Sequence, residues 1–169
     1  MKKLIYLIFV FLALNACQTE VEVSSFNPVN WEKRSVSNLP SDSTLEHGKS
    51  YLSVYSQIYG ETEQRTYDLT ATISMRNISD SDTIYIHEAA YYDTKGHLKR
   101  NYFSHSIYIA PLETVEIIID EKDQSGGTGA NFIFDWSCPK NTHPPLFEGI
   151  MISTVSRGLS FTTQAVRIK

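Results

Sequence analysis

The stretch DQSGGTGAN, residues 123 to 131, sets an acid, a hydroxyl and three glycines within nine positions, the make-up of a loop that holds an anion or a metal ion. A phosphate-binding loop needs a lysine and a hydroxyl residue after its glycines, at a helix start. Here Ala130, Asn131 and Phe132 follow Gly129, and Phe132 stands where a dinucleotide loop would place its third glycine. Backbone amides gather an anion at a helix N-terminus, whereas NFIFDW, from Asn131 to Trp136, alternates as a strand does. The glycines are therefore expected to supply positive φ and a close approach to a neighbouring strand. Asp123 and Ser125 are expected to bond the loop's own amides. A glycine-rich tip on a rigid scaffold is also where contacts with other molecules concentrate. Asp123, Ser125, Gly126, Gly127, Gly129 and Asn131 thus form the expected binding loop.

Other chemistry is weaker. Asp120, Glu121 and Asp123 lie close together, but Lys122 and Gln124 interrupt the oxygen ligands of a calcium loop. Asp80 and Asp82 fall in a hairpin tip, where acids are expected anyway. Histidines 47, 87, 97, 105 and 143 show no zinc-site spacing. His87 and Glu88, adjacent within a strand, are expected on opposite faces, which keeps them from one metal unless a bulge intervenes. No serine occupies a G-x-S-x-G elbow. Cys138, beside Pro139, is expected to be a small core or loop residue. No catalytic residue, metal ligand or cofactor is assigned.

The first residues speak to compartment. Lys2 and Lys3 precede an apolar run from Leu4 to Leu14, too short to cross a bilayer, which needs ~20 apolar residues. A charged start, a short apolar core and a small residue before the cut is the layout of an export signal. Leu14-Asn15-Ala16-Cys17 resembles the lipobox of bacterial lipoproteins, with Asn15 the less usual filler. That resemblance implies cleavage between Ala16 and Cys17, a diacylglyceryl group on the Cys17 thiol and a palmitate-type chain on its amine. Several acyl chains hold a protein to a bilayer stably where one does so only marginally. Gln18 is not the aspartate that retains enterobacterial lipoproteins at the inner membrane, so the outer membrane, on either leaflet, is expected. Loss of Lys2 and Lys3 leaves 13 basic against 19 acidic residues, a net charge near −6. Such a chain lacks the basic footprint of a nucleic-acid binder.

The elements that must carry these residues read as strands. Residues 17–47 are polar and rich in Ser, Asn and Pro, an expected tether, with Phe26, Val29 and Trp31 as residues that can pack onto the body. Residues 48–169 suffice for one core. Leu69, Ala71, Ile73 and Met75 alternate with Asp68, Thr70, Thr72, Ser74 and Arg76, the period of a half-buried strand. Further short strands follow, separated by turns at NISDSD, DTKG and APLE. Seven to eight of them predict an antiparallel, immunoglobulin-like β-sandwich, with a small β-barrel as the alternative. The tyrosines suit cross-strand packing, or an aromatic face for a glycan or a peptide strand.

YSQIYG, LTATISMRN, YYDTKGHLKR, APLETVEIII and SGGTGANFIFDW, in that order, resemble an uncharacterised bacterial lipoprotein family, domain of unknown function 3124. The resemblance spans roughly Ser50 to Lys169 and implies an exported, lipid-anchored, single-domain β protein with no residue roles to transfer. The expected function is a non-catalytic binding or accessory module. It would sit on the membrane through its lipid anchor and take an envelope protein or glycan. The alternative is a small envelope hydrolase whose acids or histidines the fold brings together.

Overall fold

A computed structural model describes residues 29–154 and 158–169. The expected signal peptide, with Ala16 and Cys17, lies outside them. Among the described residues the fold is all-β, two packed antiparallel sheets forming a sandwich. The described residues form twelve strands: β1 (Leu45–Val54), β2 (Gln57–Tyr59), β3 (Thr66–Asp68), β4 (Thr70–Arg76), β5 (Ile84–Tyr92), β6 (Leu98–Asn101), β7 (Ile107–Ile109), β8 (Thr114–Ile119), β9 (Ala130–Pro139), β10 (Leu146–Ser153), β11 (Leu159–Gln164) and β12 (Val166–Arg167). The count exceeds the expected seven to eight because β2, β3 and β12 are too short to show a period and the polar start of β1 does not read as a strand.

The larger sheet runs β12-β1-β9-β5-β6, with β7 also paired to β5, and the smaller runs β11-β10-β4-β8. β2 and β3 form a separate hairpin. In β4, Ala71, Ile73 and Met75 are buried and Thr70 and Thr72 are half-buried, so the alternation read from the sequence sets the inward face. Leu52, Ile86, Phe132, Phe134 and Trp136 of the larger sheet meet Ile73, Met75, Ile117, Phe147 and Met151 of the smaller across the interior. Phe134 and Phe147 join the layers, stacked with centroids 4.1 Å apart. Such ring pairs contribute about 0.5–1.5 kcal/mol beyond burial. Cys138 is fully buried in this core.

Two departures from the expected organisation matter for function. β1 begins at Leu45, so the expected boundary at residue 48 cuts through a strand. Gly48, which disguises that strand, lies where a Cβ would overlap the Trp136 indole. The chain before β1 is also packed. Val29 and Trp31 lie against the core, Trp31 with its ring 5.1 Å from that of Phe103. After a 3-10 turn at Glu32–Arg34, Ser35 bridges to Ile107 and the Val36 amide donates to the Ser106 carbonyl at 2.9 Å. The sandwich thus recruits at least part of the expected tether.

Candidate functional site

The glycine loop is built by its neighbours. After Asp123 a distorted 3-10 segment runs Gln124–Gly129, interrupted at Gly127, whose φ of 72° falls in the left-handed region. Asp123, 5% exposed, accepts from the Ser125 amide at 3.1 Å and from Arg100 Nη2 of β6 at 2.9 Å. Burial pushes its carboxyl pKa up, and the bonds from Ser125 and Arg100 more than reverse this, leaving it below the ordinary value. Thr94 Oγ1 donates to the Gly126 carbonyl and accepts from the Gly129 amide. Ser56 donates to the Gly127 carbonyl, and Gln124 to Asp68. Gly126 is buried against Tyr91, and a Cβ there would overlap the Tyr91 hydroxyl. Burial raises that phenol to about 12. Asn131, the second residue of β9, is paired with Ser53 and Tyr92. Several of the polar groups expected to receive a ligand are therefore engaged in bracing β6 and β5, while Ser125 remains exposed.

A second cluster lies on the outer face of the larger sheet. The register of β5 against β9 shifts between Ile86 and Glu88. This bulge corrects the expectation that His87 and Glu88 face opposite ways. Glu88 pairs with Asp135, and His87 reaches Ser137, which is Asp135's neighbour but one on the same face. His87 Nε2 lies 2.9 Å from Ser137 Oγ and Nδ1 lies 2.8 Å from Ser106 Oγ. Its ring stacks on His47 at 6.1 Å, and His47 Nε2 pairs with Asp42 at 2.7 Å. Burial holds His87 below its ordinary pKa, so the imidazole is neutral near pH 7, with one nitrogen donating and the other accepting. Ser137 is 0% exposed, which denies it to a substrate. Among the described residues no three His, Cys, Asp or Glu side chains are grouped to hold a metal. His97 and His143 are exposed and apart from this cluster.

The third region is a hollow of about 330 Å³ between the segment before β1 and the β6–β7 connection. It is lined by Trp31, Glu32, Asn101, Tyr102, Phe103, Ser104 and His105. Ligand pockets typically enclose about 300–1,000 Å³ and combine an apolar wall with a few polar groups. The cleft at His47, Lys49 and Asp135 has about 140 Å³ and falls below that range. Trp31 and Phe103 form the apolar wall of the larger hollow. His105 Nε2 donates to the Trp31 carbonyl at 3.2 Å, since a carbonyl only accepts. Asn101 Nδ2 donates to Glu88 at 3.3 Å. Tyr102 accepts at 3.0 Å from Arg100, the guanidinium that also grips Asp123, so the glycine loop positions one wall of the hollow. Sequence reasoning missed this site because Trp31 and His105 lie 74 residues apart and no spacing links them.

The family model for proteins of unknown function, DUF3124, matches residues 47–168. The chain belongs to that family. Its span takes in the glycine loop and the residues from Asn101 to His105 but leaves out Trp31, so one wall of the hollow stands outside the family's matched region. No curated protein matches the chain. Among solved structures, the crystal structure of Thermotoga maritima 1070 aligns with a TM-score of 0.45 at 11% identity, covering 70% of this chain and 92% of that one.

Proposed function

We propose that this chain is a non-catalytic binding module of the bacterial envelope, moored to the outer membrane by acyl chains on Cys17 and taking its ligand in the hollow beside Trp31. One observation carries the binding site: an aromatic wall and a set of polar groups surround a space of ligand size, about 330 Å³. The lipobox-like Leu14-Asn15-Ala16-Cys17 supports the mooring. Among the described residues no helix is long and apolar enough to cross a membrane.

The hydrolase alternative draws no comparable support. Among the described residues, the close histidine–hydroxyl arrangement of His87 with Ser137 and Ser106 places a serine, and not a carboxylate, on each ring nitrogen. Binding is tested by passing envelope extract over the immobilised chain and over the Asn101→Ala variant. A component retained by the first and lost from the second supports the site. Equal retention by both moves binding elsewhere. Mass spectrometry of the native protein tests the mooring, which requires a mature chain beginning at an acylated Cys17.

A further inference from the structure

The hollow beside Trp31 has a chemical bias that narrows its ligand. Its polar lining is rich in acceptors. His105 spends its Nε2 hydrogen on the Trp31 carbonyl, and Nδ1 is the acceptor nitrogen of that tautomer. Asn101 spends one of its two Nδ2 hydrogens on Glu88 and keeps the other, while its Oδ1 accepts. Glu32 adds an exposed carboxylate, an acceptor on both oxygens. Ser104 supplies a hydroxyl that can do either. A ligand matched to this lining presents several hydrogen donors. Phosphates and carboxylates, which only accept, are mismatched and are also repelled by Glu32.

Two classes of donor-rich ligand remain, organic cations and polyhydroxylated neutral molecules. One aromatic face attracts a cation, but selective capture of an organic cation takes several faces converging on it. Tyr102 is already engaged, with the Arg100 guanidinium 5.6 Å and the Phe132 ring 5.6 Å from its own ring centre. Phe103 is only 6% exposed. The half-buried Trp31 is left as one apolar wall rather than a cage. An apolar wall and several acceptors lining the same hollow suit a ring with C–H groups on its face and hydroxyls on its rim.

Building on the binding-module reading, we infer that the hollow formed by Trp31, Glu32, Asn101, Ser104 and His105 is a saccharide subsite that takes a single pyranose unit. The indole packs on the sugar's C–H face while the acceptors engage its hydroxyls. The segment before β1 is then a working part of the site, and removing it removes the apolar wall.

The test titrates the purified full chain with mono- and disaccharides of glucose, galactose and N-acetylglucosamine, using calorimetry and tryptophan emission. Trp136 is 1% exposed, so an emission change reports Trp31. Binding of at least one sugar is expected, weakened about tenfold in Asn101→Ala. This variant alters an exposed side chain and is expected to keep the parent's melting temperature. In Trp31→Phe, which preserves an apolar contact with Phe103, the emission change is expected to vanish and calorimetric affinity to fall. Choline and inorganic phosphate serve as comparison probes. Choline binding without sugar binding overturns the inference in favour of a cation site, and phosphate binding overturns the acceptor argument. If no sugar binds while an envelope component is still retained in an Asn101-dependent way, the saccharide class falls and the binding module stands. If neither is seen, both fall. Sugar binding unchanged in Asn101→Ala and Trp31→Phe also overturns this placement.

Discussion

Arg100 Nη2 and Asp123 Oδ2 meet at 2.9 Å, with the aspartate side chain 5% exposed and the guanidinium about a third exposed. This pair ties β6 to the glycine loop, and through the Arg100–Tyr102 bond it reaches the hollow. Breaking a fully buried pair costs about 3–5 kcal/mol. With Arg100 partly solvated, Asp123→Asn is expected to cost about 2 kcal/mol, read by urea denaturation. Because the folded pKa of Asp123 is depressed, its contribution is present above the unfolded value, near 3.8, and is lost as pH falls through the lower folded value. The variant's stability should therefore fall less steeply than the parent's below about pH 4.

Gly126 and Tyr91 make a second coupled pair. Gly126→Ala forces a methyl group into the Tyr91 hydroxyl and to 2.7 Å from the Ala130 methyl. Overpacking of this kind costs about 1–3 kcal/mol. The Tyr91 hydroxyl is buried without a well-formed hydrogen bond, so Tyr91→Phe should be close to neutral. The double variant should recover part of the loss from Gly126→Ala. Strict additivity in a double-mutant cycle would refute the contact.

Cysteine chemistry reports both the core and the anchor. Cys138 is fully buried, and burial pushes its thiol to about 11, leaving about one thiolate in a thousand near pH 8. It should resist a thiol reagent in the folded protein and react on denaturation. Native protein carrying acyl chains on Cys17 should release one reactive thiol on unfolding, whereas a chain unmodified there would yield two.

His87 offers a pH test with the same sign as Asp123 and a higher window. Its folded pKa lies below the usual 6.5, so its contribution holds above that value and is lost as pH drops through the folded value. Imidazole proton shifts should show His87 taking up its proton only below the usual 6.5. Ser137→Ala removes the partner of Nε2 and should cost about 1–2 kcal/mol.

A chain cut at residue 48 should be less stable than one starting at residue 29. The cut discards the Trp31–Phe103 contact, the 2.6 Å Arg34–Glu113 ion pair and the first three residues of β1. A lower melting temperature for the shorter chain checks this, and equal values would make the early segment ornamental.

The inward face of β4 was legible because Leu69 to Met75 alternate without interruption, and so was the chain reversal at residues 123–131, where Asp123 caps the Ser125 amide as expected. The start of β1 was not. Glycine and polar residues read as linker, and only the Trp136 ring lying on Gly48 explains why a strand carries them. The bracing partners Arg100 and Thr94 were hidden for a different reason, since they reach the loop through strand pairing across the sheet. The hollow was the least legible of all. It exists only because the early segment folds back onto the β6–β7 connection, a contact no local pattern encodes.

The two layers are fastened at opposite margins by the two ends of the described chain. Along one margin β11 belongs to the smaller sheet and β12, one residue later, to the larger, with the Lys169 carbonyl bonded to the Lys49 amide. Along the other, Arg34 clasps Glu113 ahead of β8 and the Tyr108 carbonyl of β7. A pull transmitted from an N-terminal mooring would therefore load the Trp31–Phe103 contact first and the Arg34 clasp after it. Chain crosses between the layers at both margins, through Ala165 and through residues 110–113, so the pull would peel the segment bearing Trp31 from the β6–β7 connection before the sandwich opened.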